Sequence, residues 1–252
     1  VGTMAQNDRL ELTVPEKGNI FARFIKSIKE HSTAYLLIAP IVIALTVVLY
    51  FPGIFGIRLT FSRFNEFVGL QNYQWVLTNE LFHYSLGITI TFLISTIVLQ
   101  LVIGGGIALV INRLMRIQAF WTALALAPYM VPPIAGGIVW VWFLEPSFGF
   151  VNHVLDALGV GRIYFLVKGN LPFLSILTAQ TWKDFGYASI IYLAALQQVP
   201  DELHESAMMD GAGPFARFRF ITLPFLQTAT LIILAIRTNW NVVEFGLPFE
   251  ML

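Results

Sequence analysis

Two apolar segments of this chain, around residues 172–199 and 225–247, contain charged and hydrogen-bonding side chains. Both segments are long enough to cross a bilayer, which takes about 20 residues. Charges and polar groups inside such segments are expensive, so by default they indicate a path for a solute or an ion. The side chains concerned are Trp182, Lys183, Asp184 and Tyr187 in the first segment, and Arg237, Asn239, Trp240, Asn241 and Glu244 in the second.

The chemistry of these side chains suits a polyhydroxylated ligand. Aromatic faces such as those of Trp182, Tyr187 and Trp240 can stack on the apolar face of a pyranose ring. Carboxylate, amide and guanidinium groups offer paired hydrogen bonds to hydroxyls. The two bases and two acids sum to no net charge, which favours a neutral ligand over a strongly anionic one.

Two other roles compete with ligand binding at these positions. Lys183 and Asp184 could pair with Glu244 and Arg237, and would then join two helices without contacting a solute. Trp240 could face lipid, since indole rings are common at membrane interfaces. The residues alone leave these alternatives open.

No motif for catalysis or metal binding occurs in the sequence. The chain has no cysteine, and it lacks a nucleophile elbow, a zinc helix signature, a carboxylate pair and a Gly-x-x-x-x-Gly-Lys-Ser/Thr phosphate loop. We therefore expect no enzyme activity, metal site or cofactor in this chain, and any ATP hydrolysis must come from another protein. The four histidines are scattered through different segments, at His31, His83, His153 and His204.

The composition is that of an integral membrane protein. Hydrophobic residues make up 57% and charged residues 12% of the 252 positions, and the mean hydropathy is +0.73. These values nearly exclude a soluble core. Lysine plus arginine equals aspartate plus glutamate at 15 each, so no basic excess suggests a nucleic-acid partner.

Five apolar runs predict five transmembrane helices in an all-α fold. The second run contains three consecutive glycines, Gly104 to Gly106, which permit close helix approach. The third contains Pro128, Pro132 and Pro133, which predict a kinked or broken helix. The predicted spans cover residues 34–57, 86–111, 119–144, 172–199 and 225–247.

The region before the first span, residues 1–33, is predicted to be a tail followed by an amphipathic helix. Residues 1–19 are polar, and no cleavable signal peptide is apparent. Between residues 19 and 31 apolar side chains recur at helical spacing while Arg23, Lys26 and Lys29 take the other face. This pattern favours a helix lying on the membrane surface, with packing on a protein partner as the alternative. The transmembrane domain then covers residues 34–252.

A polar loop at residues 200–224, which is interrupted by prolines and glycines, separates the fourth and fifth runs. Pro200 suits a first helical position, acidic residues follow it, and Gly211 is a natural C-terminal stop. Pro214 can open a second short helix, and Leu223 and Pro224 lead into the next apolar run. We expect two short helices joined by a glycine bend, projecting from the membrane as a knob.

This loop resembles the EAA loop in the membrane subunits of binding-protein-dependent ABC importers, within the carbohydrate branch typified by the maltose transporter. Ser206 departs from the pattern, since the motif has its first alanine there. A segment at residues 67–73 resembles the Phe-x-Gly-Leu-x-Asn-Tyr segment common in these permeases, and Gly149 and Asn152 resemble their Gly-x-x-Asn segment. The matching positions in the loop are Glu205, Ala207, Asp210, Gly211, Ile221, Leu223 and Pro224.

The resemblance implies an importer permease with the type I transmembrane fold, in which a sixth helix is expected beyond Leu252. It implies that the first loop helix docks into a separate ATPase, with Leu203, Glu205, Ala207, Asp210 and Gly211 as the coupling residues. The partners implied are a second homologous permease, two ATPase subunits that bind ATP and Mg²⁺, an extracytoplasmic sugar-binding protein and the lipid bilayer. The family's sugar-contacting positions fall on Trp182, Lys183, Asp184, Tyr187, Arg237, Trp240, Asn241 and Glu244.

Basic residues are unevenly distributed between the two sides of the predicted topology. Nine lie in the tail, the short loop after residue 112 and the loop at 200–224, whereas four lie on the opposite side. The positive-inside rule therefore places the N-terminus and the knob in the cytoplasm of a multi-pass protein of the cell membrane.

Other functions remain as alternatives at this stage. The nearest is an importer of glycerol phosphate or another polar solute, which differs in whether Lys183 and Arg237 face an anionic ligand. An ATP-independent secondary carrier would be favoured by inverted repeats, and no clear internal similarity is found. A purely structural membrane anchor conflicts with the polar side chains inside the spans.

Overall fold

A computed structural model describes residues 31–64, 66–114 and 117–252. The amphipathic helix predicted between residues 19 and 31 lies, except for its last residue, outside this part of the chain. The chain divides into two compact units, the first ending at Asn79 and the second running from Glu80 to Leu252. The described elements are helices apart from one two-stranded hairpin, which confirms the predicted all-α class.

The first unit contains one long apolar helix. It consists of α1 (Ser32–Leu45), a π-helical segment (Thr46–Tyr50) and α2 (Phe51–Thr60), and together they form 29 continuous residues. Proline lacks the N–H that a helix needs and crowds the preceding turn. The wider π turn ends two residues before Pro52, where it relieves this conflict and lets the helix continue.

A hairpin and a short helix close the end of this apolar helix. Strands β1 (Ser62–Arg63) and β2 (Glu66–Phe67) pair antiparallel and lead to α3 (Gln71–Thr78). The Asn72 amide donates to the carbonyl oxygens of Thr60 and Ser62, at 2.9 and 3.1 Å. The Tyr73 and Thr60 hydroxyls lie 2.7 Å apart. The segment at residues 67–73 therefore has a local role, since it supplies hydrogen-bond partners for carbonyl groups at a helix C-terminus.

The second unit is built around one central helix, α8 (Leu171–Leu196), which packs along α4 (Glu80–Asn112). Among the described helices, these two form the most extensive contact. The middle of α8 holds Gln180, Lys183 and Asp184, which are buried by neighbouring helices. The elements in order are α4 (Glu80–Asn112), α5 (Gln118–Leu126), a 3₁₀ turn (Ala127–Met130), α6 (Pro133–Leu144), α7 (Phe150–Ala157), α8 (Leu171–Leu196), α9 (Asp201–Met209), α10 (Pro214–Arg217), a π segment (Phe218–Thr222), α11 (Leu223–Val243) and α12 (Gly246–Met251).

Close contact between α4 and α8 depends on a single glycine of the predicted run. A Cβ atom added to Gly104 would lie 2.7 Å from the Ala188 Cβ and 3.0 Å from the Phe185 carbonyl oxygen. A Cβ on Gly106 would meet nothing within 4 Å. The packing role expected for the glycine run is thus confirmed at Gly104 and does not extend to Gly106.

Gly104→Ala is expected to destabilise the protein, whereas Gly106→Ala is not. Overpacking a tight contact costs about 1–3 kcal/mol, which lowers the melting temperature of a chain of this size by several degrees. Thermal unfolding of the purified protein in detergent measures the difference between the two variants. Equal melting temperatures for both would contradict the close packing at Gly104.

The third predicted span is broken at its prolines, as the sequence indicates. Helix α5 tightens into the 3₁₀ turn, Val131 and Pro132 are extended, and α6 begins at Pro133. The two helical parts meet at 93°. Residues Met130 to Pro132 line a cavity that is described below, consistent with the rule that irregular backbone at membrane depth lies against protein or a cavity.

Three helices of the described chain are long and apolar enough to cross a bilayer, or four if the bent pair is one span. They are Ser32–Thr60, Glu80–Asn112 and Pro214–Val243. Helix α8, the predicted fourth span, has 26 residues, but its polar middle lowers its hydropathy. Because 14 of its residues are buried by protein, much of the surface of α8 contacts other helices. A helix in such a position can carry polar side chains without exposing them to lipid. The count of five spans stays a prediction.

The last predicted span differs from the expectation at both ends. The helix that opens at Pro214 does not stop within the knob, but runs without a break to Val243. Here too a π segment precedes a proline, Pro224, by two residues and accommodates it. The span does not reach Leu247, because the chain leaves the helix at Glu244 and starts α12 at Gly246, which packs closely against α6.

The loop between α6 and α8 is organised by Asn152, which is 2% exposed. Its amide donates to the carbonyl oxygens of Leu144 and Ile163, both at 3.1 Å, and its own oxygen accepts from the Ile163 N–H at 2.8 Å. A Cβ at Gly149 would lie 2.4 Å from the Glu145 carbonyl oxygen. The Gly-x-x-Asn segment is thus explained by a tight turn and a buried amide that joins both sides of the loop.

Candidate functional site

Asp184 is the centre of a buried polar cluster between α4, α8 and α11. Its Oδ1 accepts from the Lys183 Nζ at 3.3 Å and lies 3.4 Å from the Arg237 Nη1. Its Oδ2 accepts from the amide nitrogens of Gln180 at 2.7 Å and Gln100 at 3.4 Å. Both carboxylate oxygens are therefore occupied by donors of the protein itself.

The sequence places these groups together through helical periodicity. Gln180 and Asp184 are four residues apart on α8, so they share one face of the helix. Helix α4 contributes Gln100, and α11 contributes Arg237, whose Nη2 also donates to the Asp184 carbonyl oxygen at 3.3 Å. All five side chains are at least nine-tenths buried. Removing one partner of such a cluster would leave a buried charge or dipole without compensation.

Two tyrosine rings hold the Arg237 guanidinium from the side. Its central carbon lies 4.3 Å from the centre of the Tyr187 ring and 5.3 Å from that of Tyr129. The two rings also pack on each other at 5.5 Å, and the Lys183 Nζ lies 5.6 Å from the Tyr129 ring. Cation–π contacts of this kind fix the guanidinium without using any of its hydrogen-bond donors.

A cavity of about 360 Å³ opens beside the cluster. Its volume lies at the lower end of the range typical of small-ligand pockets, about 300–1,000 Å³. Six of the eight side chains predicted for the substrate path line it, together with the break between α5 and α6. The lining residues are Tyr129, Met130, Val131, Pro132, Pro133, Lys183, Asp184, Arg237, Trp240, Asn241 and Glu244.

The two remaining predicted residues lie outside the cavity wall. Trp182 is half-buried and packs edge-on against Trp140 of α6, with ring centres 5.9 Å apart. Tyr187 packs on Arg237 and Tyr129, both of which line the cavity. Trp240 lines the cavity and is 59% exposed. The stacking role predicted for aromatic rings therefore suits Trp240 better than Trp182.

The competing prediction that these charges join helices holds for one pair. Asp184 and Arg237 connect α8 and α11 across their interface. The expected pairing of Lys183 with Glu244 does not occur, because Lys183 turns to Asp184. Within the described parts of the chain, Glu244 forms no ion pair, and it stands at the break that follows α11. Joining helices and lining a cavity are therefore both roles of this cluster.

Sequence reasoning missed three residues of the cluster. Gln100 is a lone amide in the middle of an otherwise apolar run, and intramembrane polarity alone could have identified it. Gln180 could have been found from its spacing of four residues to Asp184. Tyr129 could not, because its place beside Lys183 and Arg237 depends on the direction in which the chain turns at the proline break.

The loop at residues 200–224 forms a second candidate site. Helix α9 begins at Asp201, one residue later than predicted, and ends at Met209, two residues before Gly211, whose φ is +81°. The Gly211 N–H donates to the Met208 oxygen at 3.0 Å, and the Ala212 N–H donates to the Ala207 oxygen at 2.8 Å. This is a Schellman motif, in which a residue with positive φ lets the chain close the helix end.

Helix α9 presents one side to its own unit and the other outward. His204 and Ala207 are half-buried, whereas Glu205 and Asp210 are exposed. Leu203 is 41% and Met209 is 89% exposed. A short helix with exposed apolar and acidic side chains, held at a fixed angle by its glycine cap, is suited to insertion into a cleft of another protein.

Comparison with known proteins identifies relatives of one kind. Residues 100–248 match the family described as "Binding-protein-dependent transport system inner membrane component". The trehalose/maltose transport system permease protein of Thermococcus litoralis is 34% identical over 216 residues, covering 83% of this chain and 73% of the relative. The sulfoquinovosyl glycerol transport system permease protein of Agrobacterium fabrum is 31% identical over 225 residues, covering 86% and 73%.

A solved structure has the same fold. It is a bacterial ABC transporter involved in the import of the acidic polysaccharide alginate, with a TM-score of 0.77 and 25% identity, covering 91% of this chain and 83% of the solved one. A structure of a bacterial alginate ABC transporter in complex with a periplasmic protein that holds an alginate pentasaccharide gives a TM-score of 0.76 and 28% identity, covering 85% and 74%. The predicted fold class is therefore confirmed.

Proposed function

From the premise that this chain belongs to the family of binding-protein-dependent transport system inner membrane components, we propose that it imports a di- or oligosaccharide as the permease subunit of an ABC transporter. The family makes it a multi-pass membrane protein and a transport subunit rather than an enzyme. A sugar is proposed as the substrate because relatives and structural neighbours are named for saccharides or glycosides.

The observation that carries this proposal is the position of the cavity between the helices that flank the loop at 200–224. Helix α8 leads into α9, and the helix that begins at Pro214 leads through α11 to Arg237. Both of these helices contribute to the cavity wall. A displacement of α9 by a partner can therefore reach the cavity through two continuous helices, as import coupled to a separate motor requires.

The proposed partners supply what this chain lacks. Two ATPase subunits hydrolyse ATP with Mg²⁺, since the sequence has no phosphate loop. A second permease completes the translocation path, and an extracytoplasmic binding protein delivers the sugar. The unequal distribution of basic residues supports an N-terminus and a loop at 200–224 that face the cytoplasm.

The mechanism we propose is alternating access. Closure of the ATPase pair moves α9, and the helices on either side of it turn the cavity from outside to inside. Such coupling requires that the ATPase contacts α9 differently in the two states. In this arrangement the exposed Leu203 and Glu205 contact the ATPase, while the half-buried Ala207, together with Asp210 and Gly211, fixes the angle of α9.

Glu205→Lys is expected to abolish co-purification of the ATPase with this chain. The substitution reverses an exposed charge that we place at the docking cleft, where charge complementarity governs association. The measurement is the amount of ATPase retained by the affinity-tagged chain after co-expression with both permeases and the ATPase. Glu66→Lys, which reverses an exposed glutamate in the first unit, serves as the control.

Uptake in proteoliposomes tests the function itself. ATP-dependent accumulation of a labelled oligosaccharide is expected from the complete complex with its binding protein, and none with Glu205→Lys. Retention of the ATPase by Glu205→Lys would contradict the docking role of α9. Accumulation that proceeds without ATP would contradict the importer and favour an ATP-independent carrier.

A further inference from the structure

The polar cluster holds more cationic and donor groups than its one carboxylate can neutralise. Two cations, Lys183 and Arg237, share the Oδ1 of Asp184, and its Oδ2 already accepts two amide donors. The buried cluster thus carries one positive charge in excess. The four charged side chains of the two polar spans sum to zero only because Glu244 is counted with them. Glu244 follows the end of α11 and is not part of the cluster.

Two unused hydrogen-bond donors belong to residues that line the cavity, whereas the two unused acceptors of the cluster, Gln100 Oε1 and Gln180 Oε1, belong to residues that do not line it. The Arg237 Nε and the Asn241 Nδ2 are buried and have no partner among the described residues. These two residues are four positions apart on α11, so they lie on the same face, and they are 4% and 6% exposed. A buried donor without a partner is unfavourable, and a ligand that brings acceptor oxygens would remove that penalty.

The guanidinium is also held in place before any ligand arrives. Its face is covered by Tyr187 at 4.3 Å, and its Nη1 and Nη2 are engaged by Asp184. The Nε is the guanidinium nitrogen that has no partner among the described residues. Guanidinium and ammonium groups prefer carboxylate, sulfonate or phosphate oxygens to neutral hydroxyls, because charge-assisted hydrogen bonds are the stronger ones.

Glu244 lines the same cavity and, among the described residues, forms no ion pair with Lys183 or Arg237. Its carboxylate can only accept hydrogen bonds, and the hydroxyls of a sugar can donate them. Trp240, on the same wall, offers an exposed ring face for the apolar side of a pyranose. The cavity is therefore polarised, with cationic donors at the cluster and an acceptor at Glu244.

We propose that this cavity selects sugars that carry an acidic group over their neutral counterparts. Arg237, Lys183 and Asn241 bind the anionic group, and Glu244 accepts from sugar hydroxyls. This inference rests on the proposed function, since it concerns the ligand of the same permease site. It replaces the neutral ligand predicted from the charge sum with one matched to the uneven placement of the charges.

The test measures binding to the purified complex without its binding protein, so that only the permease cavity is sampled. The probes are three disaccharides and their uronic-acid forms, each pair differing only in a carboxylate at C6, with inorganic phosphate as an anion lacking a sugar. Isothermal titration is expected to show the acid of at least one pair binding about tenfold or more tightly than its neutral form, the ratio that 1.4 kcal/mol represents. Phosphate alone is expected to bind weakly.

Three variants assign the preference to the cavity. Arg237→Gln is expected to remove the ratio between acid and neutral sugar. Glu244→Gln is expected to raise the ratio, because it removes a repulsive carboxylate, and as a half-buried residue at a helix end it can be changed without disturbing the buried cluster. Arg162→Gln, an exposed arginine of the loop before α8, leaves the ratio unchanged.

The outcomes separate this inference from the proposed function. Equal or tighter binding of the neutral member in every pair that binds, or a ratio that Glu244→Gln lowers, overturns the acidic-sugar preference while sugar import stands. Binding of phosphate as tight as that of the acids overturns it too, because the site would then be one for simple anions. Failure of all six sugars to bind at millimolar concentration also overturns it, and ATP-dependent uptake then decides the proposed function separately.

Discussion

Asp184→Leu is expected to eliminate most of the folded protein from the membrane. The change leaves Lys183 and Arg237 buried with no carboxylate nearby, since Asp184 is the anion within 3.4 Å of both. Breaking a buried ion pair by removing one partner costs about 3–5 kcal/mol, against a total stability of about 5–15 kcal/mol for a typical protein. The measurement is the yield of monodisperse protein by size-exclusion chromatography after expression with the partner subunits.

A triple variant distinguishes lost charge balance from lost packing. The variant combines Lys183→Met, Asp184→Leu and Arg237→Met. It removes all three charges and replaces them with apolar side chains. Replacing a whole buried ionic group by apolar residues is often neutral or stabilising, so the yield is expected to recover while transport remains absent. A triple variant as poorly folded as Asp184→Leu alone would contradict the electrostatic explanation.

Gly211→Val is expected to abolish transport while leaving the membrane-spanning helices folded. The backbone at Gly211 has a φ of +81°, a conformation that costs an L-residue about 1–2 kcal/mol and a β-branched one more. The Schellman motif would open, and α9 would lose the angle that the proposed docking on the ATPase requires. The measurements are ATPase co-purification and ATP-dependent uptake, compared with the thermal stability of the isolated chain.

Two further variants serve as matched controls for this position. Gly211→Asn is expected to retain most of the activity, because asparagine tolerates the left-handed conformation. Gly213→Ser is expected to have no effect, since Gly213 has a φ of −69° and precedes the helix at Pro214, where serine is a favourable N-cap. Normal uptake by Gly211→Val, or equal loss in Gly211→Asn, would show that the backbone conformation does not control coupling.

Local signals in the sequence were sufficient for features that depend on neighbouring residues. Three prolines between residues 128 and 133 predicted the break that the structure places between α5 and α6. The glycine at position 211 predicted the end of α9, and the positions of Lys183 and Arg237 predicted that charges inside apolar helices face the protein interior. Each of these follows from the backbone preference or hydration of a single residue type.

Features that depend on the approach of distant helices were not predictable in the same way. The sequence places Gln100 more than eighty positions before Asp184, and nothing in either segment indicates that α4 and α8 bring them together. The sequence also does not show that Asp184 forms ion pairs whereas Glu244 forms none among the described residues. Both carboxylates belong to polar stretches of apolar runs. That distinction, which decides the expected ligand, arises from tertiary packing.

The π segment at Phe218–Thr222 sets the rotational phase of everything that follows it. A regular α-helix turns by about 100° per residue, and a π turn takes in one extra residue. If this segment became regular, the side chains from Leu223 onward would rotate by about that angle relative to Pro214. Arg237 would then point away from Asp184. The contact between α8 and α11 therefore depends on the π geometry of these five residues.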